Sequence, residues 1–434
     1  MRPKIDVQCE LEFPISNLAL TQQYYAKYRA ISRILDEAPE IVARAHRDLK
    51  HALEQVARSE PDGSRFQYTS DNVLRMLIVQ ALEGLSLRAT VVRIDDSAFL
   101  RQFTRLARKP MMDFTTLCKL KNALRPATWK QINRTLAQYA VREERIRGEA
   151  LRLDTTAVET NIHWPTDSSL LWDSYRVLAR LIERARELDP AVVGAGRLHP
   201  RRAQREALAI VRKAAKRGQD TEALKPLYRS LLGRVEGIGD WALRVAEGLL
   251  QRIEAVRYSE WRHAEAEALV EEIAHAHGLA QRVIDQARRR VLCREAVPNE
   301  EKLFSLFEPH TELLKRGKAG QPIEFGHMIQ IQQVAEKFIT DYEVYDKKPV
   351  EHTLLEPALA SHRALFGADP SQLAADKGYY ENMKAMRRLE QRIGVVSIAK
   401  KGKRTVEETE REQDPLFRHA QAFRAGVEGT ISFL

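Results

Sequence analysis

The spacing of apolar residues divides the chain into helical and extended stretches. From about Tyr24 to Ala140, apolar residues recur at three- and four-residue steps, which is the period of an amphipathic helix. We therefore predict an all-helical N-terminal domain over residues 1–140. Residues that favour helix ends predict boundaries within it, at Ser70 or Asp71, Gly84, Leu87, Ser97 and Thr115 or Thr116.

The period changes to two at Leu151. Leu151, Leu153 and Thr155 alternate there with Arg152 and Asp154, as in a strand, so Asp154 is predicted in the middle of a strand. After Pro165 the pattern returns to long helical runs up to the glycines at 317 and 320. This stretch predicts a helical insertion at about 168–318.

The remainder alternates short strands with helices. Four further strands are predicted, at Phe325–Gln332, Phe338–Tyr345, Gln372–Asp376 and Gly394–Ala399. Helices separate the later strands, and one last helix carries apolar residues from Leu416 to Ile431. The order βββαβαβα predicts a mixed α/β domain over residues 145–434 with a five-stranded mixed sheet, an order that ribonuclease H-like folds have.

Charge favours a polyanionic partner. The chain has 70 Lys and Arg against 60 Asp and Glu, a formal charge of +10. Double-stranded DNA fits this excess, although a basic protein without a nucleic-acid partner fits it equally well. The N-terminus lacks the apolar core of a signal peptide, and no run of about 18 apolar residues suggests a membrane span. We therefore expect a cytoplasmic protein with no membrane partner.

Three acids stand at positions where metal chemistry is possible. Asp154 lies in the first predicted strand, Asp376 ends the fourth, and Glu428 lies on the last helix. Neighbouring carboxylates repel unless a cation lies between them, and oxygen ligands favour Mg²⁺ or Mn²⁺. Together the three acids could hold two ions about 3.5–4 Å apart for displacement at phosphorus. Taken singly, each acid is more often a capping or solvated residue.

Basic side chains near these acids and on the N-terminal helices are candidates for gripping DNA phosphates. The candidates are Arg424, Lys377, Lys400, Lys401, Lys403, Arg404, Lys119 and Lys121. The last two belong to a short-helix array that could place a helix in a major groove. The alternative is that these side chains only solvate a loop and a helical face.

The sequence resembles the DDE transposases of bacterial insertion sequences in three blocks. LDTTAVETNIHWPTD (Leu153–Asp167) resembles the segment of the first catalytic Asp, and AADKGYY (Ala374–Tyr380) the segment of the second. FRAGVEGTIS (Phe423–Ser432) resembles the segment that bears the catalytic Glu. The resemblance implies that Asp154, Asp376 and Glu428 are both catalytic residues and ligands of two Mg²⁺ or Mn²⁺ ions.

Further segments extend the resemblance over most of residues 66–434. They are SLFEPHT (Ser305–Thr311), GKAGQPIEFGH (Gly317–His327) and the helical stretch Gly84–Leu124. The family implies cleavage at the inverted-repeat ends of a mobile element and joining of the exposed 3′-hydroxyls to target DNA. It also implies a homo-oligomeric synaptic complex.

Two departures from the family pattern bear on activity. Many relatives have Tyr three residues before the position of Arg424, where this chain has Gln421, and they continue well beyond the catalytic Glu, whereas this chain stops at Leu434. We therefore expect a truncated copy with weak or absent transposition. The alternatives are a decayed DNA-binding copy without activity and a ribonuclease H-like nuclease.

Overall fold

A computed structural model describes residues 18–59, 68–106, 109–215, 221–255, 258–315 and 323–432. By the density of internal contacts the chain forms two compact units. The first comprises residues 1–155, 330–343 and 350–434, and the second residues 156–329 and 344–349. The predicted domain limits at 140 and 145 and the insertion at about 168–318 remain predictions.

Seven helices fill the N-terminal part of the first unit in its described residues. They are α1 (Ala19–Glu37), α2 (Pro39–Ser59), α3 (Ser70–Glu83), α4 (Leu87–Asp96), α5 (Ala98–Phe103), α6 (Phe114–Ala123) and α7 (Pro126–Arg142). The predicted boundaries are confirmed to within one or two residues. Thr69, not Ser70 or Asp71, caps α3, and Gly84 ends it with φ +61°. Buried apolar residues such as Leu49, Val73 and Leu117 form the core of these helices.

The second unit is built on a separate helical core. Its helices are α8 (Asp167–Leu188), α9 (Pro190–Val193), α10 (Pro200–Ala214), α11 (Lys225–Glu254) and α12 (Glu260–Ala287). A capping box between Thr166 and Ser169 starts α8 immediately after Pro165. Leu178, Leu231 and Ile273, on three different helices, belong to one buried cluster.

Six strands form one mixed sheet in the described residues, so the prediction of five strands is wrong. They are β1 (Ala150–Glu159), β2 (Glu312–Lys315), β3 (Ile323–Val334), β4 (Ile339–Tyr345), β5 (Gln372–Ala375) and β6 (Val395–Ser397). In the first unit the order is β4-β3-β1-β5-β6, with β5 parallel to both β1 and β6. The additional strand β2 lies in the second unit, antiparallel to the first half of β3.

The C-terminal part of the first unit differs from the single last helix that the sequence predicts. Its helices are α13 (Leu355–Phe366), α14 (Met383–Glu390), α15 (Val406–Gln413), α16 (Pro415–Ala425) and α17 (Glu428–Ile431). The acidic helix α15 was not predicted, because its sequence VEETEREQ has almost no apolar face. The predicted last helix is broken at Gly426 and Val427, so Glu428 begins a separate four-residue helix.

Candidate active site

The strand register brings Asp154 and Asp376 side by side. Strand β1 pairs in parallel with β5, and Leu153 is level with Ala375. The residues that follow in the two strands are Asp154 and Asp376, so these two acids are level with each other. The strands that carry the two acids are therefore neighbours in the sheet. Asp154 is buried, with 6% of its surface exposed, whereas Asp376 is half-buried at the end of its strand.

One guanidinium group lies against both carboxylates. Nη2 of Arg424, on α16, donates to Oδ2 of Asp154 at 3.1 Å and lies 3.5 Å from Oδ1 of Asp376. One oxygen atom of each aspartate therefore lies within 3.5 Å of the same nitrogen atom. Burial raises the pKa of Asp154, Arg424 opposes that shift, and the negative charge of Asp376 adds to it.

The donor chemistry of this pair fits a divalent cation. Two hard oxygen ligands already share one positive charge, that of Arg424. Across the described parts of the chain, however, no group of three or more His, Cys, Asp or Glu side chains is placed to hold a metal. The pair Asp154 and Asp376 is therefore brought together, and Glu428 does not complete a three-carboxylate site in this conformation.

Glu428 is exposed at the start of α17. A close approach accompanies the break before it, because a Cβ atom on Gly426 would lie 2.4 Å from Nη1 of Arg152. Glycine is thus required here for space and not for a left-handed backbone, since its φ is −64°. Gly429, by contrast, has open space around it. Close packing therefore explains Gly426 but does not explain Gly429.

Arg152 is a site residue that the sequence reasoning missed. It is 3% exposed on β1, and its Nε donates to Oε1 of Gln333 while its Nη1 donates to the carbonyl oxygen of Phe423, both at 2.7 Å. Gln333 in turn donates to Oγ1 of Thr430 at 2.8 Å. One buried guanidinium group thus ties α16 and α17 to the sheet. The available signal was a charged residue inside a buried strand, two positions before Asp154.

A second residue that the sequence reasoning missed, Glu351, supports the segment after β5. Glu351 accepts a hydrogen bond from Oγ1 of Thr155 at 2.5 Å. A Cβ atom on Gly378 would lie 1.3 Å from Oε2 of Glu351, so only glycine allows this approach. The hydroxyl group of Tyr379 accepts from Gln330 at 3.1 Å. The backbone that follows Asp376 is therefore fixed against neighbouring elements.

The predicted phosphate-binding residues fall into two groups. Lys400 is paired with Glu408 at 2.8 Å and Arg404 with Glu412 at 2.6 Å, so helix α15 neutralises part of the basic loop. Hydrogen bonding from Lys400 is the main cause that lowers the pKa of Glu408 to about 2. Lys121 donates to Gln80 at 3.2 Å. The remaining lysines extend into solvent: Lys119, Lys377, Lys401 and Lys403.

Comparison with known proteins gives one match. Residues 26–123 match the family model described as Transposase domain (DUF772), and this match supports a transposase role, which entails DNA binding. No curated protein matches the chain, and no solved structure does either. Within the described ranges, no helix has both the length and the apolar character needed to cross a membrane.

Proposed function

We propose that this chain is a DNA transposase of the DDE type, with a ribonuclease H-like sheet as its catalytic scaffold. The observation that carries the proposal is the pair Asp154 and Asp376, which lie level with each other on adjacent parallel strands. Both carboxylates contact the guanidinium group of Arg424. The order β4-β3-β1-β5-β6 agrees with that scaffold. The transposase-domain match at residues 26–123 supplies independent support from another part of the chain.

The proposed metal ligands are Asp154 and Asp376, with Glu428 as the third. When bound, Mg²⁺ or Mn²⁺ ions would supply an activated water or 3′-hydroxyl nucleophile and charge stabilisation at the leaving 3′-oxygen. Glu428 lies between two anchored positions: Arg152 binds the carbonyl oxygen of Phe423, and Gln333 binds the hydroxyl group of Thr430. We propose that the chain beyond Gly426 rearranges when metal binds and brings the carboxylate of Glu428 to the pair.

The remaining roles follow from charge. Arg424 neutralises the two aspartates in this conformation and is proposed to turn to a DNA phosphate when a metal takes its place. Lys377 directly follows Asp376, and Lys401 and Lys403 lie in the loop after β6; all three are exposed and are proposed to hold the DNA backbone. The N-terminal helices, with Lys119, are proposed to bind the element ends. The active form is proposed to be a homo-oligomer.

Titration of Mn²⁺ followed by calorimetry tests the metal site. We expect binding by the wild-type chain, loss of binding in Asp376→Asn, and weakened binding in Glu428→Gln. The matched control is Glu410→Gln, which removes another exposed helical glutamate, on α15. Binding that Asp376→Asn leaves intact would reject the site. Equal binding by Glu428→Gln and Glu410→Gln would reject Glu428 as a ligand.

Cleavage is tested with supercoiled plasmid in the presence of Mn²⁺. We expect nicking by the wild-type chain and none by Asp154→Asn or Asp376→Asn. Nicking without any joining of DNA ends would favour the nuclease alternative. The exposed position of Glu428 favours a second candidate, a DNA-binding copy without activity, and DNA binding with neither metal binding nor nicking would establish it.

A further inference from the structure

Two large aromatic side chains of the second unit face solvent. Trp164 is 66% exposed and Phe307 is 53% exposed. They belong to the segments NIHWPTD and SLFEPHT, neither of which contributes a carboxylate to the candidate active site. Exposed aromatic side chains of this size commonly mark binding sites, because burying them in a partner releases water from a large apolar surface.

Ring contacts and a short stretch of chain connect the two aromatic side chains. On one side, Trp164 packs edge-on against Phe325 at 5.2 Å between ring centroids, and Phe325 lies 5.2 Å from Phe304. Phe304 is three residues before Phe307 in the chain. We call this surface, made of Trp164, Phe307 and the side chains that join them, the aromatic platform.

Polar side chains also connect the two aromatic side chains. His163, next to Trp164, lies 2.7 Å from one oxygen atom of Asp173 through its Nε2. Arg176 donates to the other oxygen atom of Asp173 at 2.7 Å and lies 5.5 Å from the ring centre of Phe307. Asp173 thus holds the two flanking cationic groups in fixed positions.

The cationic partners of the buried carboxylates face solvent, while the carboxylate of Glu308, next to Phe307 and 44% exposed, lies 3.2 Å from Nε2 of His310. The side chain of Asp173 is 5% exposed, whereas those of His163 and Arg176 are 52% and 42% exposed. The same holds for Asp167, which is 8% exposed, and its partner Arg290, which is 40% exposed. A hydrogen bond to Asp173 is the main cause that raises the pKa of His163, which favours its charged form. Exposed Arg180 extends the charge by one turn of α8.

The backbone that carries both aromatic side chains is held in place before any ligand arrives. The hydroxyl group of Ser305 accepts from the backbone N–H groups of Phe307 and Glu308 at 3.1 Å, which fixes the turn that carries Phe307. Pro165 follows Trp164, and the capping box of α8 begins at the next residue. Stacking of a planar group on them therefore does not require this backbone to be ordered first, which lowers the entropic cost of binding.

We propose that the aromatic platform binds unpaired bases of a DNA strand by stacking, with Arg176 and Arg180 contacting the adjacent phosphates. Every base presents a flat π-face, so an exposed aromatic pair beside arginines suits single-stranded DNA of any sequence. A duplex keeps its bases stacked inside and offers the platform only phosphates. The platform should therefore discriminate single strands from duplexes, which a basic surface without aromatic residues does not.

The test measures binding of a labelled 20-nucleotide oligo(dT) and of a 20-base-pair duplex by fluorescence anisotropy. EDTA is present throughout, so the result is independent of the proposed metal site. Stacking on one aromatic side chain changes affinity by a factor of roughly 5 to 150. We expect Trp164→Leu and Phe307→Leu each to weaken oligo(dT) binding about tenfold and to leave duplex binding unchanged. Trp164→Phe, which keeps a stacking face, should retain most of the affinity.

Each other outcome overturns the proposal. Unchanged oligo(dT) affinity in both leucine variants would exclude stacking, and equal weakening of single-strand and duplex binding would leave only a general basic surface. Self-association that the leucine variants abolish, without any change in DNA binding, would assign the platform to a protein partner. Thermal unfolding of each variant identifies one that fails to fold, and because Phe307 lies in a surface turn, Phe307→Leu still decides the question if Trp164→Leu unfolds.

Discussion

Two groups of buried charge within the first unit differ in how many of their polar atoms are hydrogen-bonded. In the N-terminal helices, Arg75 is completely buried, yet each of its three nitrogen atoms donates a hydrogen bond. The acceptors are Asp71, Ser32, Asp36 and the carbonyl oxygen of Phe103. Arg105 completes the network on the other oxygen atom of Asp71 at 3.0 Å, and only its Nε lacks a partner among the described residues.

The candidate active site leaves more of its buried charge unsatisfied. Nη2 of Arg152 and Nε of Arg424 are buried and have no hydrogen-bond partner in the described part of the chain. Asp154 is buried beside another carboxylate, and its pKa is raised. Buried polar groups are nearly always paired in folded proteins, because an unpaired one loses its hydration without compensation.

The difference indicates what each group is for. A closed network such as that of Arg75 fixes one arrangement of helices and stabilises it. A group with unpaired donors and a perturbed carboxylate is poised to exchange partners, as a site for a metal or a phosphate must. We therefore propose that stability and function separate within one unit, and the following substitutions test this separation.

The largest effect is expected from Asp71→Ala, which leaves Arg75 and Arg105 buried without their shared carboxylate. Breaking a buried ion pair on one side costs about 3–5 kcal/mol. Urea unfolding measures the loss. The control is Asp95→Ala, because the side chain of Asp95 is 60% exposed in its pair with Arg101 and should contribute less than about 1 kcal/mol. Similar losses in the two variants would remove the basis of the comparison.

A smaller loss is expected from Gly426→Ala. The added methyl group would meet Nη1 of Arg152, which cannot move freely because it is buried and held by Gln333 and Phe423. Overpacking of this kind costs about 1–3 kcal/mol. Gly429→Ala is the control, with nothing within 4 Å and an expected change below about 0.5 kcal/mol. If the two alanine variants unfold at the same urea concentration, Arg152 does not anchor this segment.

Asp154→Asn should stabilise the folded chain at neutral pH. The folded-state pKa of Asp154 is raised. The free energy of unfolding therefore falls as pH rises from the ordinary pKa of Asp to the raised value, and the loss is complete above the raised value. Asparagine avoids this cost, so the gain in melting temperature should shrink as pH falls into the range of ordinary carboxyl groups. Melting curves of both proteins over a pH series provide the measurement.

Asp369→Asn should show the opposite pH dependence. Burial alone would raise the pKa of Asp369, but hydrogen bonds from Arg363 and Arg392 outweigh it, and the pKa is lowered. Its stabilisation is therefore present above the unfolded-state pKa and is lost as pH falls through the folded-state value. The variant should melt below the wild-type chain at neutral pH. If both Asp variants shift the melting temperature in the same direction, the assignment of Asp154 as a perturbed carboxylate is wrong.

The smallest effect concerns the basic loop. Lys401 is exposed, whereas Lys400 is bound to Glu408. Lys401→Ala should lower the slope of log affinity for duplex DNA against log salt by about 1, the loss of one phosphate contact, and Lys400→Ala should change it less. Filter binding over a salt series gives both slopes. A larger change for Lys400 would show that its pair with Glu408 opens on DNA.

Much of the fold follows from local sequence patterns. The alternation of Leu151, Leu153 and Thr155 with Arg152 and Asp154 predicted β1, and the three- and four-residue steps of the N-terminal region predicted its helices. Strand β2 was missed because it is only four residues long, and α15 because its residues are almost all polar. The sequence predicted the strands that carry Asp154 and Asp376, whereas their pairing and the guanidinium group of Arg424 that contacts both acids are shown only by the structure.

The sequence by itself determined the strand and helix periods, the acids and bases available for chemistry, and the resemblance that joins them. Those properties depend on residues close together in the chain, where side-chain spacing alone selects the element. Only the tertiary structure decided that Arg424 lies between the aspartates, that Arg152 anchors α16 and α17, and that Glu428 stands apart in solvent. These arrangements depend on packing between residues more than 200 positions apart in the chain, such as Arg152 and Phe423, whose numbers differ by 271. No local pattern encodes such packing.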